Sequence, residues 1–289
     1  LYGGVFIVFC GLLFRVFTLS DQQLVKAADR QSKVTVNVGS VRGTFYDRNK
    51  TPLVNSTTVY RAAVTANPKA LTALSQVLDS TAFSAMSRTL QDGRPAVVTL
   101  PRPVAAPEGI SLFQVPLRYT ERVLAPHVLG YADADLSKGL TGLESALDTF
   151  LSQYGGKAKV TYTVGATGKP LEGVAPTVEN TLSCARGGVV LTLDANIQQI
   201  TEDIAAKYIK KGAVIVMKPQ TGDVLAMASL PSYHPQKVAE VLENEDAPLL
   251  NRALCNYNCG SVFKIVSVAT ALESGVGVDT AYTCNGSVT

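Results

Sequence analysis

Apolar and polar residues alternate from Val34 to Val38, the period of a strand with one exposed face. Downstream, Arg42 to Leu53 reads as a short strand, a turn at Arg48 to Lys50 and a return toward Val59, a predicted hairpin. Leu71, Leu74, Val77 and Leu78, then Phe83, Met86 and Leu90, fit two short helices broken near Asp79 and Ser80. The four prolines between Pro95 and Gly109 predict a strand followed by an extended linker. Between His127 and Leu151 the pattern gives a short segment, a glycine-rich turn and a helix. Near Gly187 it changes again. Asp194 is a good N-cap, and Ile197, Ile200, Ile204 and Tyr208 mark one face of a long helix. Gly212 to Ser229 holds two continuous apolar runs joined by Pro219 to Gly222, a hairpin predicted to be buried on both faces.

One further run, Gly260 to Gly275, is apolar on every side except for Lys264, so it predicts a buried helix. Ser261 lies three residues before Lys264, and one helical turn carries both to the same face. Burial penalises an ammonium ion and lowers its pKa, which would make Lys264 a neutral base for the Ser261 proton. Gly260 allows close approach of backbone or substrate, and first-turn amides favour developing negative charge. Alone, S-x-x-K is a weak signal, and the competing account is a core helix whose lysine snorkels to the surface.

The predicted elements form an α/β (α+β) chain with an antiparallel sheet layered against the Ser261 helix. Its 289 residues suffice for two domains. Charged residues make up 17% and the formal net charge is +3, too little to point to nucleic acid. The first nineteen residues are strongly apolar up to and beyond Arg15, and read as a membrane segment whose start is missing. A signal-peptide core and a buried soluble helix are the competing readings, although no small-residue cleavage site follows. Gln23 to Lys33 then reads as a polar helix or stalk. Cys10, Cys184, Cys255, Cys259 and Cys284 lack zinc-type spacing with His127 and His234, so no metal site is expected, and no cofactor is implied where serine, lysine and amide dipoles suffice. Cys255 and Cys259 read as thiols, Asp47 and Arg48 as partners in a local turn, Glu144 as a helix-terminal or interface charge, and both histidines as structural. Gly165 to Lys169 lacks the spacing of a phosphate loop.

Four segments in order resemble the class B penicillin-binding proteins, the membrane-anchored D,D-transpeptidases of bacterial peptidoglycan. RGTFYDRNKTPL (42–53) resembles the family's juxtamembrane signature, HVLGY (127–131) with GLTGLE (139–144) its pedestal segment, and 212–235 its first sheet hairpin. NRALCNYNCGSVFK (251–264) resembles the N-R-A…Y-x-P-G-S-x-x-K nucleophile motif, with Cys259 where the family usually has proline. The resemblance implies a transmembrane helix over residues 1–20, a noncatalytic pedestal over 21–184, and the first part of a transpeptidase domain over 185–289. It makes Ser261 the acylated nucleophile, Lys264 the general base, and the Ser261 backbone amide, beside Gly260, half of an oxyanion hole. It implies stem peptides ending in D-Ala-D-Ala as substrate, β-lactams as acylating ligands, and a SEDS-type glycan polymerase and other cell-wall synthesis proteins as partners. It places the catalytic domain on the extracytoplasmic side of the cell membrane. The joint signature also includes S-x-N and K-T-G, which the 289 residues lack, so truncation at both ends and little activity for this chain alone are expected. A noncatalytic scaffold, a β-lactam sensor and a β-lactamase on the same fold are the alternatives.

Overall fold

The computed structural model describes residues 3–6, 9–15, 32–184, 187–281, 283–284 and 286. They form two compact units that part between Ala253 and Leu254. Residues 3–6 and 9–15 are helical and exposed, but no helix among the described residues is long and apolar enough to cross a membrane. Part of the predicted membrane segment, and nearly all of the predicted stalk from Gln23, lie outside the described residues.

The first unit begins with β1 (Lys33–Val41), whose expected alternation holds at its outer end and gives way to four consecutive buried residues. It pairs antiparallel with β6 (Gly156–Thr163), which also pairs with β7 (Thr177–Asn180). A second sheet has the order β4 (Ala96–Leu100), β3 (Thr57–Val64), β5 (Ile110–Leu117), antiparallel throughout. Its strands send side chains to two faces in turn. Ala63, Phe113 and Val115 join Val38, Val41, Val160 and Tyr162 in one core. Ala62, Val64, Leu100 and Ile110 meet two helices on the other face, α1 (Pro68–Ser75) and α2 (Ser80–Thr89), through Leu74, Met86 and Leu90. The break between these helices falls where the sequence placed it, because the Asp79 carboxylate caps α2 by accepting from the Ala82 amide at 2.8 Å.

The predicted 42–59 hairpin is revised. β2 (Thr44–Tyr46) does not return along β3, which belongs to the other sheet, but pairs in parallel with β8 (Gly188–Val190). A side chain at 188 would strike the Thr44 carbonyl oxygen at 1.8 Å, so glycine is required for this close pairing. The turn after β2 is fastened by Asp47, which is buried and accepts from the Asn49 and Thr51 amides at 2.8 and 2.7 Å. The same carboxylate takes the Ala195 amide at 3.2 Å, at the first turn of α6 (Ala195–Tyr208), 148 residues away. Burial pushes the Asp47 pKa up, but these backbone donors outweigh it and hold the group below its ordinary value.

The segment predicted as one helix after Gly139 is two, α4 (Gly142–Ala146) and α5 (Asp148–Gln153), following the short α3 (Pro126–Leu129). Glu144, in α4, is fully buried between two buried arginines. Arg42 Nε donates to Oε2 at 3.2 Å, while Arg118 Nε and Nη2 approach Oε1 at 2.7 and 2.6 Å. The Tyr119 hydroxyl donates to Oε1 at 3.0 Å and accepts from the Ala132 amide. Arg42 also reaches Asp148 at 2.7 Å, giving two cations and two carboxylates, and Arg118 donates to the Gly43 carbonyl at 2.6 Å. Burial and then the Glu144 charge push the Tyr119 pKa well up, so it remains a proton donor to the carboxylate. Around this centre pack Phe45, Val54, Leu129, Leu151 and Leu193.

Two predictions follow from that centre. Glu144→Ala leaves two guanidinium groups buried without their carboxylate and should lower unfolding stability by about 3–5 kcal/mol, read from urea denaturation at pH 7; a loss within about 0.5 kcal/mol, the range of neutral surface changes, would contradict it. Asp148 is held below its ordinary pKa by the Gly139 amide and by Arg42. Its folded value lies below the unfolded one near 3.8, so its contribution is complete above that value and is lost as pH falls through the folded value. Asp148→Asn should therefore be less stable than wild type at pH 7, with the gap closing in acid. An unchanged gap from pH 7 down to about pH 2 would refute the linkage.

Candidate active site

The second half of the first unit carries the chain toward the predicted nucleophile. α6 starts at its predicted cap, with Asp194 accepting from the Asn196 and Ile197 amides. It covers the hairpin of β9 (Gly212–Met217) and β10 (Val224–Leu230), an antiparallel pair as expected. The face marked by the apolar stripe is not the one that turns inward. Gln198, Thr201 and Ala205 are buried, whereas Ile200, Ile204 and Tyr208 stand 58, 55 and 72% exposed. Gln198 decides the arrangement, because its side-chain amide donates to the Met227 carbonyl at 2.9 Å and accepts the Met227 amide at 2.8 Å. A hairpin edge needs such partners, and hydropathy alone does not reveal them. The hairpin is likewise not buried on both faces: β10 is largely buried, but Ile215 and Met217 of β9 remain exposed.

Past β10 a cluster of polar contacts fixes the approach to Asn251–Arg252–Ala253. Ser229 Oγ donates to the Leu250 carbonyl at 2.9 Å and accepts the Arg252 amide at 3.0 Å. The Arg252 guanidinium, nearly buried, donates to the Ala247 and Asp246 carbonyls at 3.1 and 2.6 Å. His127 Nε2 donates to the Pro248 carbonyl at 2.7 Å, its ring edge-on to Tyr233 at 4.9 Å, and Tyr233 in turn donates to the Pro126 carbonyl. Burial holds the His127 pKa below its ordinary value, so it sits neutral in this clamp. His234 donates from Nε2 to the Thr120 carbonyl and accepts the Gln236 amide at Nδ1. Both histidines thus fasten backbone, as expected from the sequence. The roles of Ser229 and Arg118 were not legible there, because each depends on a partner far along the chain.

The second unit holds Gly260, Ser261 and Lys264. Gly260 has φ of 53° with open space around its α-carbon, a left-handed turn that suits glycine, and its amide donates to the Asn258 side chain at 3.2 Å. A 3-10 turn, Gly260–Phe263, runs into α7 (Lys264–Glu273). The Lys264 amide donates to the Ser261 carbonyl, closing an i to i+3 turn, a spacing at which a 3-10 helix eclipses its side chains. The expected α-helix from Ser261 onward is revised: residues 260–263 form a 3-10 turn and the α-helix starts at Lys264. The predicted burial is not observed: Ser261, Lys264 and the whole of α7 are exposed or partly so, with Val262 and Ile265 at 71 and 74%. An all-apolar run reports that a helix needs cover, and these described residues do not supply it.

Residues 212–288, from the first residue of β9 through the Ser261–Lys264 turn, match the penicillin binding protein transpeptidase domain. These residues carry a penicillin-binding protein transpeptidase domain. The chain is 26% identical to the peptidoglycan D,D-transpeptidase FtsI of Escherichia coli (strain K12) over 308 aligned positions, covering 96% of this chain and 50% of that one. It is 34% identical to stage V sporulation protein D of Bacillus subtilis (strain 168) over 157 residues, 51% of this chain and 23% of the relative. The chain thus spans half the length, or less, of these curated relatives. Among solved structures, a penicillin-binding protein, PBP2, from Helicobacter pylori is alike over 87% of this chain and 54% of its own, with a TM-score of 0.51 and 20% identity, a likeness of fold.

The clamp before Ala253 yields a test. Ser229→Ala removes a buried hydroxyl that serves two backbone partners and should cost about 1–3 kcal/mol, while Ser232→Ala nearby serves as the control. Urea midpoints of the two variants check this, and equal midpoints would contradict the clamp.

Proposed function

We propose that the protein is a serine-type peptidoglycan D,D-transpeptidase in which Ser261 forms the acyl-enzyme and Lys264 is its general base. The observation that supports this reading is the Ser261–Lys264 turn, an i to i+3 spacing lying inside the matched transpeptidase domain. The Ser261 hydroxyl oxygen attacks the penultimate D-alanine carbonyl of a stem peptide as the Lys264 amine takes its proton. The tetrahedral oxyanion lies toward the Ser261 amide, where left-handed Gly260 keeps the approach open. Collapse expels terminal D-alanine, which recovers a proton from Lys264, and a neighbouring amine then takes the acyl group from Ser261. A β-lactam carbonyl enters the same first step and leaves the serine acylated.

In this reading residues 1–20 anchor the protein in the cell membrane, 21–184 form the pedestal, and 185–289 open an extracytoplasmic transpeptidase domain. A SEDS-type glycan polymerase is the proposed partner of the anchor and pedestal. No residue of the reaction requires a cofactor, since serine, lysine and backbone dipoles provide each group the steps use. S-x-N and K-T-G do not occur in the 289 residues. In the family the latter strand supplies the second oxyanion donor, and loss of one donor costs roughly a hundredfold to a thousandfold.

Fluorescent penicillin tests the proposal on a product that joins these residues to S-x-N and K-T-G motifs. Ser261→Ala should abolish labelling, and Lys264→Ala should slow it by about 10²–10⁴-fold. The 289-residue chain alone should label at least about a hundredfold more slowly than that product. Persistent labelling of Ser261→Ala would overturn the nucleophile assignment. Growth supported by Ser261→Ala in place of the native protein would favour the scaffold alternative.

A further inference from the structure

Among the described residues five other than glycine have a positive φ, and Ala125 is the one of these that is buried. Its φ and ψ of 50 and 46° lie in the left-handed region, where a β-carbon crowds the following carbonyl. Pro126 comes next, and a residue before proline favours extended backbone instead. A conformation of this kind persists only where surrounding groups hold it.

The grip comes from α6. Glu202 Oε1 accepts the Ala125 amide at 2.7 Å, across 77 residues of sequence, and the same oxygen accepts the Gln198 side-chain amide at 2.7 Å. Gln198 is itself fixed by the Met227 backbone of β10, so the carboxylate is held from behind. The neighbouring Asp203 pairs with Arg122 at 2.6 Å, which leaves Glu202 as the carboxylate of this helix turn that meets Ala125. The Ala125 carbonyl accepts the Val128 and Leu129 amides, so the conformation of Ala125 sets the direction in which α3 starts. That direction matters because of what α3 carries. His127 Nε2 donates to the Pro248 carbonyl at 2.7 Å, and the His127 carbonyl accepts the Asn251 side-chain amide at 3.3 Å. Rotation of Ala125 into extended backbone would swing His127 away from both.

We propose that Glu202 is a positioning residue: by latching Ala125 in its strained left-handed turn, it keeps His127 on residues 248–252, the segment that leads into the Ser261 turn. Glu202 acts through Ala125 and His127 and takes no part in the chemical steps. The consequence for acylation rests on the assignment of Ser261, whereas the latch itself does not.

Hydrogen exchange of the 289-residue protein reads the latch. Glu202→Met keeps the side-chain length, removes the acceptor, and should speed exchange of the Leu129 and Arg252 amides at least about tenfold. Ala125→Gly makes the left-handed turn inexpensive, so in that background Glu202→Met should change the same rates less than about threefold. A carboxylate that merely satisfied one amide would give equal acceleration in both backgrounds, and that result would overturn the proposal. So would Leu129 and Arg252 rates that Glu202→Met leaves unchanged. In the wild-type protein, whether or not the variants fold, urea should expose these two amides through one shared opening; openings with different urea dependence would also overturn the latch. In a product that joins these residues to S-x-N and K-T-G motifs, Glu202→Met should slow penicillin acylation of Ser261 about tenfold, and Ala125→Gly should restore it. An unchanged acylation rate would overturn the positioning role. Failure of the wild-type product to label at Ser261 would count against that assignment alone, with the exchange rates still deciding the latch.

Discussion

The first unit depends on a carboxylate placed where water cannot reach it. Glu144 has no exposed surface, and its two oxygens are shared among Arg42, Arg118 and Tyr119. These residues come from the β1–β2 connection, the end of β5 and α4, which share no local sequence. Taking such charges out of water is expensive, and breaking one pair leaves the others uncompensated. The chain therefore cannot let any of these three elements drift without exposing or orphaning a charge. The Arg42 and Gly43 carbonyls, both drawn toward Arg118, extend the same constraint to the backbone entering β2.

From that anchor the order passes through β2 to the start of the next layer. Asp47 joins the turn after β2 to the first amide of α6, and the Arg48 amide donates to the Leu193 carbonyl. α6 in turn holds β10 through the Gln198 amide, and β10 holds Leu250 and Arg252 through Ser229. Each link is a buried polar group whose loss leaves a partner unsatisfied. The first unit is thus specified as much by paired polar atoms as by its apolar clusters.

Much of this was legible in sequence where the signal is local. The break at Asp79, the Asp194 cap, the β9–β10 hairpin and the Ser261–Lys264 spacing each follow from residues within a few positions of one another. What was missed depends on distant partners. Glu144 reads as a helix-terminal or interface charge, and its full burial shows only once Arg42 and Arg118, at separations of 102 and 26 residues, arrive beside it. The stripe of Ile200, Ile204 and Tyr208 is apolar and still exposed, because periodicity defines a face but not what covers it, and Gln198 took the inward position by bonding Met227. The same reason explains α7, whose composition called for burial.

The Ser261–Lys264 turn is the centre of the functional proposal, and the proposed acylation by a β-lactam would leave a covalent mark on Ser261. The most direct measurement is peptide mapping by mass spectrometry of the gene product bearing this chain after exposure to benzylpenicillin. The account predicts one penicilloyl adduct, on the peptide containing Ser261. An adduct on another residue, with Ser261 unmodified, would contradict it.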